Sequence, residues 1–230
     1  MDDVTASARD ARTDVPPPTS RPQPRWQASV AVLGVLVLQL RLPDRLTLGP
    51  SWLLPALEAA LLMPLTFANP YRDEEESRLA RDASIGLLAM VNLANLSSLV
   101  LVVRLLINGG NSATGQRLIL SAVVVWVTLV VTFGLTFWEF DRGGPARRAM
   151  PGKRLPDLLF PQDSSPELAS PDWTPGFVDY LYVAFTNASA FSPTDTMPLT
   201  QWAKTLFLME SLTSLVTIGL VAARAVNILK

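Results

Sequence analysis

The amino-acid sequence predicts an all-α polytopic membrane protein with four to six transmembrane helices and a re-entrant helix and loop near the C-terminus. Apolar residues make up 49% of the chain and charged residues only 17%, and the mean hydropathy is +0.29. Soluble helices carry one apolar stripe with charges opposite, whereas residues 118–137 are apolar or hydroxyl-bearing on every face. This combination is typical of helices in a lipid bilayer, which we expect to be the protein's main partner.

The residue types that the chain lacks exclude several kinds of site. It has no Cys and no His, so disulfides, Cys or His zinc sites and Ser-His-Asp or Cys-His triads are impossible. The net charge of −1 gives no support to nucleic-acid binding. A membrane enzyme would have to use carboxylates, and Glu58, Asp195 and Glu210 show no paired spacing. We therefore expect no enzyme, no metal and no cofactor.

The N-terminal third begins with a polar tail and continues with two short apolar stretches. Residues 1–26 contain five prolines and predict disorder, because such a segment cannot bury enough apolar surface to become ordered. The apolar stretches lie at 27–42 and 51–67. A helix needs about 20 apolar residues to cross the hydrocarbon core, and about 17 is the lower limit. The second stretch is therefore marginal, and the first either crosses, lies in the interface or is re-entrant.

Three longer apolar stretches, at 84–107, 118–140 and 202–229, clear this length and predict transmembrane helices. Five of the six Trp residues lie at or just beyond the ends of stretches, as in an interfacial aromatic belt. Asn92 and Asn95 lie in the middle of the first long stretch. Hydrogen bonding between helices is the favoured role for both, with a polar relay as the alternative.

The region before the last long stretch indicates a re-entrant arrangement. Residues 141–176 are polar with seven prolines and predict an extended loop without a hydrophobic core of its own. Residues 177–191 suit a helix, but 15 residues are too few for a comfortable span. They lead into a hydroxyl-rich segment broken by two prolines, and then into the last long stretch. Irregular backbone at membrane depth must be buried in protein or line a cavity.

Residues 177–229 resemble the pore domain of the bacterial potassium-channel superfamily, in which a short pore helix, the filter sequence Thr-Thr-Val-Gly-Tyr-Gly-Asp-x-x-Pro-Leu-Thr and an inner helix follow one another. Aligned on Asp195, the residues Pro198, Leu199 and Thr200 match. The resemblance implies the following parts: outer helix 117–140, loop 141–176, re-entrant pore helix 177–191, filter-like loop 190–200 and inner helix 202–229. It makes six residues candidates for an ion pathway: Ala190, Phe191, Ser192, Pro193, Thr194 and Asp195.

The filter positions themselves depart from the family. Ala190 stands at the filter Thr, Ser192 and Thr194 at the two glycines, and Pro193 at the Tyr. Alternate filter residues adopt left-handed conformations that a Cβ atom disfavours, and proline fixes φ at about −65°. Potassium selectivity by the usual carbonyl ladder is therefore not expected. The chain also looks like uncharacterised integral membrane proteins of high-GC bacteria, which implies a multi-pass protein of a bacterial plasma membrane.

Four more residues are candidates for supporting this loop, namely Asn187, Glu210, Ser214 and Thr217. The last three share one face of the last helix, at spacings of i, i+4 and i+7. That face either lines a water-filled vestibule, with Glu210 supporting the loop, or forms interhelical hydrogen bonds. Asp195 either joins a ring of four carboxylates that attracts cations or stabilises a local turn.

Two functions are compatible with the altered filter, which either conducts ions or does not. The first is an oligomeric ion-channel-like protein, with a tetramer favoured and monovalent ions as candidate partners. The second is a non-conducting scaffold, sensor or assembly partner that reuses the pore fold. The number of crossings is open as well. A re-entrant 177–191 helix with four crossings fits a pore, whereas a fully crossing helix gives six crossings and places the basic residues of 142–154 inside, as the positive-inside rule prefers.

Overall fold

The chain folds into a bundle of apolar helices. The computed structural model describes residues 26–39, 56–57, 59–60, 74–107, 115–148, 155–171, 173–189 and 195–228. The longer helices are α1 (Trp26–Gln39), α2 (Glu74–Ile107), α3 (Gly115–Phe140), α6 (Phe177–Ser189) and α7 (Gln201–Ile228). The shorter elements are helices α4 (Pro145–Arg148) and α5 (Pro161–Ser164) and strands β1 (Leu158–Leu159) and β2 (Met197–Pro198).

Among the described residues, three helices are long and apolar enough to cross a membrane. Their apolar spans are Asp82–Leu101 in α2, Ile119–Gly143 at α3 and Gln201–Ala223 in α7, with 20, 25 and 23 residues. Helix α1 has 14 residues and is shorter than a bilayer requires. The prediction of a helical membrane protein is confirmed at this level, and the total number of crossings stays a prediction. The polar tail 1–25 and most of the 51–67 stretch lie outside the described residues.

Helix α3 is the centre of the bundle, because α1, α2, α6 and α7 all pack against it. Within the chain, 72% of its apolar span is buried, compared with 22% for the span of α7. Aromatic side chains fill the contacts around it. The ring of Phe137 lies 4.9 Å from that of Phe207 on α7, and the ring of Trp126 lies 5.8 Å from that of Phe185 on α6. Helix α7 therefore leaves most of its surface open to lipid or to other chains.

Polar side chains join α2 to α3. The Asn92 amide donates to the Thr136 hydroxyl at 3.2 Å, and the Asn95 amide donates to the Val125 carbonyl at 3.4 Å. Thr136 in turn donates to the Thr132 carbonyl of its own helix. The two asparagine bonds cross from α2 to α3, as the favoured role of these residues requires. Buried polar groups need such partners where no bulk water is available.

The segment 141–176 differs from the extended loop that its prolines predict. Its described parts, 141–148, 155–171 and 173–176, include β1, which pairs antiparallel with β2 so that Leu158 lies opposite Pro198. The side chains of Leu158 and Phe160 are buried. The ring of Phe160 packs edge-on against Tyr180 of α6, with 5.3 Å between centroids. An isolated pair of apolar residues is too short to show a helical or strand period. The burial of Leu158 and Phe160 therefore depends on their tertiary contacts with β2 and α6.

Gly134 allows α3 and α6 to approach closely. A Cβ atom at this position would lie 3.1 Å from Leu181 Cα and 3.4 Å from Leu181 Cδ1. The Cα atom belongs to the backbone of α6, so it cannot move unless the whole helix shifts. A close-packed contact of this kind tolerates no added volume without cost.

Replacing Gly134 by Leu is expected to push α6 away from α3 and to lower the free energy of unfolding by about 1–3 kcal/mol. Thermal unfolding in detergent should show a Tm several degrees below that of the unaltered chain. Gly219→Leu in α7 is the matched control, because a Cβ atom there meets nothing within 4 Å. Equal Tm values for the two variants would contradict the close contact.

Candidate functional site

The helix α6 is tied to the rest of the protein at both of its ends. At its first turn lies a cluster that we call the Asp141 clamp, formed by Asp141, Arg142, Arg148, Asp157, Tyr180 and Trp202. At its last turn lies a second cluster that we call the Asn187 junction, formed by Trp126, Asn187, Ala188, Glu210, Ser211 and Ser214.

Asp141 is the centre of the clamp. The residue is fully buried at the end of α3. Its Oδ1 accepts the backbone N–H groups of Asp157 at 2.9 Å and Leu158 at 3.1 Å, and its Oδ2 accepts the Tyr180 hydroxyl at 2.6 Å. Arg142 Nε lies 3.5 Å from the same Oδ2. Burial raises the pKa of the Tyr180 phenol well above its usual value, so the hydroxyl keeps its proton and remains a donor.

Arg148 closes the clamp from the other side. Its Nη1 donates to the carbonyl oxygens of Trp138 and Asp141, each at 2.8 Å. Its guanidinium carbon lies 5.0 Å from the centre of the Tyr180 ring, within the range of a cation–π contact. Trp138 lies in the last turn of α3 and Asp141 directly follows that helix, where carbonyl groups lack partners in the same helix. The Asp141 carbonyl also accepts the Gly144 N–H at 2.9 Å. Arg148 therefore caps α3 and holds the first turn of α6 at the same time.

Asp157 links the clamp to the start of α7. Its Oδ2 accepts the Arg142 backbone N–H at 3.0 Å, and its Oδ1 accepts Trp202 Nε1 at 3.0 Å. Its carbonyl accepts the Leu199 N–H at 2.8 Å. The ring of Trp202 also packs against Phe140, with 5.2 Å between centroids. Residues 197–202 are therefore held beside the end of α3, next to the first turn of α6.

The Asn187 junction holds the other end of α6. Asn187 Nδ2 donates to Glu210 Oε2 at 2.6 Å and to the Phe207 carbonyl at 3.1 Å. Its Oδ1 accepts the Ser211 hydroxyl at 2.9 Å. The Ser214 hydroxyl donates to the Ala188 carbonyl and accepts Trp126 Nε1 at 2.7 Å. Side chains of α7 thus satisfy polar groups of the last turn of α6, and Trp126 of α3 binds one of these side chains.

The two clusters lie at different levels of the bundle. Helix α6 has 13 residues, which makes it about 20 Å long. Ser214 comes 13 residues after Gln201, so the junction lies about 20 Å along the axis of α7 from its start. The clamp lies at the start of α7, where Trp202 meets Asp157. The first turn of α6 and strand β2 therefore lie at the same end of the bundle. The last turn of α6 lies beside the middle of α7.

The sequence-predicted residues fall into three groups. Ala190, Phe191, Ser192, Pro193 and Thr194 lie outside the described residues. Asp195 is described, and its side chain is exposed. The remaining four are Asn187, which is in the junction, and Glu210, Ser214 and Thr217, which are buried on one face of α7. Thr217 donates to the Thr213 carbonyl of its own helix at 2.8 Å. Among the described residues it forms no hydrogen bond with α6.

Sequence reasoning missed the clamp and the role of Trp126. Asp141 directly follows an apolar stretch, and Arg148 lies in a basic run, so both have the pattern of solvated residues at a helix end. Trp126 is 88 positions away from its partner Ser214. The one available signal was that Trp126 is the single Trp in the middle of a stretch, away from the interfacial belt.

No group of three or more acidic side chains that could hold a metal ion occurs in the part of the chain that the structure describes. The site can instead offer single carboxylates, hydroxyls and carbonyls. Comparison of the chain with protein-family models, with curated proteins and with solved structures found no match.

Replacing Asp141 by Ala is expected to release residues 142–148 and 155–158 from α6, because the change leaves two backbone N–H groups and the Tyr180 hydroxyl without an acceptor. Each unsatisfied buried donor costs about 1–3 kcal/mol. Limited trypsin digestion in detergent should then cut after Arg142, Arg147 and Arg148 much faster. Tyr180→Phe, which removes one of the three bonds, should lie between this variant and the unaltered chain.

Glu167→Ala is the matched control for this digestion, because Glu167 is an exposed carboxylate of the same loop region. It should leave the cleavage rate unchanged. Cleavage of Asp141→Ala no faster than that of Glu167→Ala would show that Asp141 does not hold the loop.

Proposed function

We propose that this chain is one subunit of an oligomeric ion-channel-like membrane protein, in which α6 is a re-entrant pore helix and residues 190–195 line the ion pathway. The observation that best supports the proposal is the pair of anchors on α6. Its first turn and strand β2 both lie at the Asp141 clamp, while its last turn is bonded to the middle of α7.

The length of α6 favours a re-entrant path over a full crossing. A helix of about 20 Å covers only two thirds of a hydrocarbon core of about 30 Å. A helix that ends at this depth leaves carbonyl groups that water cannot reach. The Ser214 hydroxyl satisfies the Ala188 carbonyl of this last turn and the Ser189 hydroxyl satisfies the Thr186 carbonyl, as a helix ending inside the membrane requires.

The composition of the pathway argues against selectivity of the potassium-channel type. Ser192 and Thr194 replace filter glycines, and Pro193 has no N–H to donate. Hydroxyl and carbonyl oxygens nevertheless remain suitable ligands for monovalent cations. The exposed carboxylate of Asp195, two positions before strand β2, would attract cations to the mouth of the pathway.

A pathway of this type requires several copies of the chain, because one subunit contributes one loop. We propose a homo-oligomer, with a tetramer favoured, in a bacterial plasma membrane. Val178, Tyr182 and Phe185 form one face of α6 and are 56%, 57% and 49% exposed. Most of the apolar span of α7 is open as well. Both surfaces are available for contact with neighbouring subunits.

The second candidate function is a non-conducting scaffold, sensor or assembly partner. The observation that favours it is the loss of both filter glycines together with the gain of Pro193. A protein that keeps the anchors of a pore helix but not its filter retains the shape without the conduction. The two candidates differ in one measurable property, which is ion flux.

Purified protein in proteoliposomes is expected to carry monovalent cations, with no strong preference for potassium over sodium. Asp195→Asn should lower cation flux several-fold by removing the charge at the mouth, and more strongly at low salt because screening is weaker there. Glu167→Asn is the matched control, since it removes an equally exposed carboxylate outside the proposed pathway. Ser192→Gly restores a family residue and should alter the ratio of potassium to sodium flux.

Flux no greater than that of empty vesicles, for any ion tested, would contradict conduction and favour the non-conducting function. A strictly monomeric state in detergent and in bilayers would contradict the pathway independently, because a single loop cannot enclose a pore.

A further inference from the structure

We propose that the Glu210 carboxyl group is a proton-binding latch on the pore helix. Protonated, it holds Asn187 and the last turn of α6 against α7; ionised, it releases that turn. The latch itself concerns α6 and α7 only, whereas its control of ion flow rests on the proposed function.

The geometry at Glu210 leaves one carboxyl oxygen open. Glu210 is 0% exposed and lies in the middle of α7. Its Oε2 accepts the Asn187 amide at 2.6 Å, and its Oε1 is buried without a hydrogen-bond partner among the described residues. A buried polar oxygen without a partner is uncommon in folded proteins and calls for an explanation in terms of function or a bound species.

The contacts of Asn187 settle which of its amide atoms faces Glu210. The same Asn187 atom approaches Glu210 Oε2 and the Phe207 carbonyl, and the carbonyl can only accept. The amide must therefore present its nitrogen there, and its oxygen accepts the Ser211 hydroxyl. Oε2 is in consequence an acceptor, so a proton on Glu210 occupies Oε1, the oxygen that has no partner.

No positive charge compensates Glu210 within the described part of the chain. On α7 itself, Lys204 is exposed and lies almost two turns away. The remaining described titratable side chains on the elements packed against α7 are Glu139 on α3, Asp179, Tyr180 and Tyr182 on α6, and Asp82 and Arg104 on α2. Asp179 accepts the Gly176 N–H, Tyr180 donates to Asp141, and Asp82 and Arg104 are exposed. None of these groups bonds to Glu210.

Burial and the orientation of α6 both favour the neutral acid. An ionised carboxylate buried without a cation is so costly that such groups usually become neutral instead. The last turn of α6 also presents the negative end of its helix dipole to Glu210. The neutral acid still accepts the Asn187 amide through Oε2, so the latch keeps its main bond when it is protonated.

Ionisation therefore couples proton release to movement. When Glu210 loses its proton to water, the charged group gains stability only if water or a cation reaches it, and this requires separation of α6 from α7. The held state binds one proton more than the released state, so lower pH favours holding and higher pH favours release. In the sequence, the proposed ion pathway begins three positions after Asn187, so release of this turn is expected to change the reactivity of groups placed in the pathway.

The absence of cysteine from the chain makes a direct test possible. A single-cysteine variant, Ser192→Cys, is prepared with Glu210 intact and with Glu210→Gln, which cannot ionise but can still accept the Asn187 amide. The rate of modification by a water-soluble thiol reagent is measured in proteoliposomes from about pH 6 to about pH 9. Glu167→Cys, at an exposed loop position, is the matched control in both backgrounds.

The ratio of the Ser192→Cys rates in the two backgrounds is expected to change by about tenfold or more across this range, because the thiol chemistry itself cancels in the ratio. The ratio for Glu167→Cys should stay constant. A constant ratio for Ser192→Cys as well would overturn the latch. If the ratio changes but the protein carries no ion flux, the latch is supported and the proposed channel is contradicted. The experiment therefore distinguishes failure of the latch from failure of the proposed function.

Infrared difference spectra of the otherwise unaltered chain give a second readout that does not depend on the folding of Glu210→Gln. Raising the pH should remove a protonated-carboxyl band, and Glu210→Asp should displace that band. A spectrum without a protonated-carboxyl band at low pH, or with a band that Glu210→Asp does not affect, would overturn the proposal.

Discussion

The proposed re-entrant arrangement depends on one constraint: a helix that ends inside an apolar medium must have its last carbonyl groups satisfied by protein. Helix α6 has 13 residues and ends beside the middle of α7. The Ala188 carbonyl is satisfied by Ser214, which α3 orients through Trp126. In a bilayer, loss of the Ser214 hydroxyl would leave the Ala188 carbonyl without this partner, at a cost of several kcal/mol. Polar bonds therefore join α6 to α7 in addition to apolar packing.

The two anchors on α6 have different physical characters. The Asp141 clamp combines charged, cation–π and backbone bonds, and its carboxylate has three donors and a guanidinium nearby. The Asn187 junction consists of neutral hydroxyl and amide groups around one carboxyl group that has a single donor. The clamp is therefore suited to a fixed frame. The junction is suited to change, because its one carboxyl group is buried with a single donor and no described cation.

A feature could be predicted from the sequence when it is determined by residues that are close together along the chain. Helices of membrane-spanning length could be predicted, because hydropathy over about 20 residues decides them. The shared buried face of Glu210, Ser214 and Thr217 could also be predicted, because the helical period is local. Their partners could not, since Asn187 is 23 positions from Glu210 and Trp126 is 88 from Ser214. The burial of Leu158 and Phe160 likewise arises only when β1 meets β2 and α6.

The distribution of basic residues remains the strongest argument against a re-entrant α6. The positive-inside rule favours an arrangement in which residues 177–191 cross fully and the 142–154 run lies inside. The clamp offers a physical answer, because two residues of this run are engaged within the protein. Arg148 is buried against carbonyls and Tyr180, and Arg142 pairs with Asp163. Charges that are satisfied within the fold bear less on orientation than free ones.

The most direct measurement is the membrane side of the two ends of this region. Glu167 precedes α6, Gln201 begins α7, and both side chains are exposed. Single-cysteine variants Glu167→Cys and Gln201→Cys, in a chain without other cysteines, are labelled with a membrane-impermeant maleimide in sealed vesicles of known orientation. A re-entrant α6 predicts labelling of both positions from the same side. Labelling from opposite sides would show that α6 crosses the bilayer and would contradict the pore-loop arrangement.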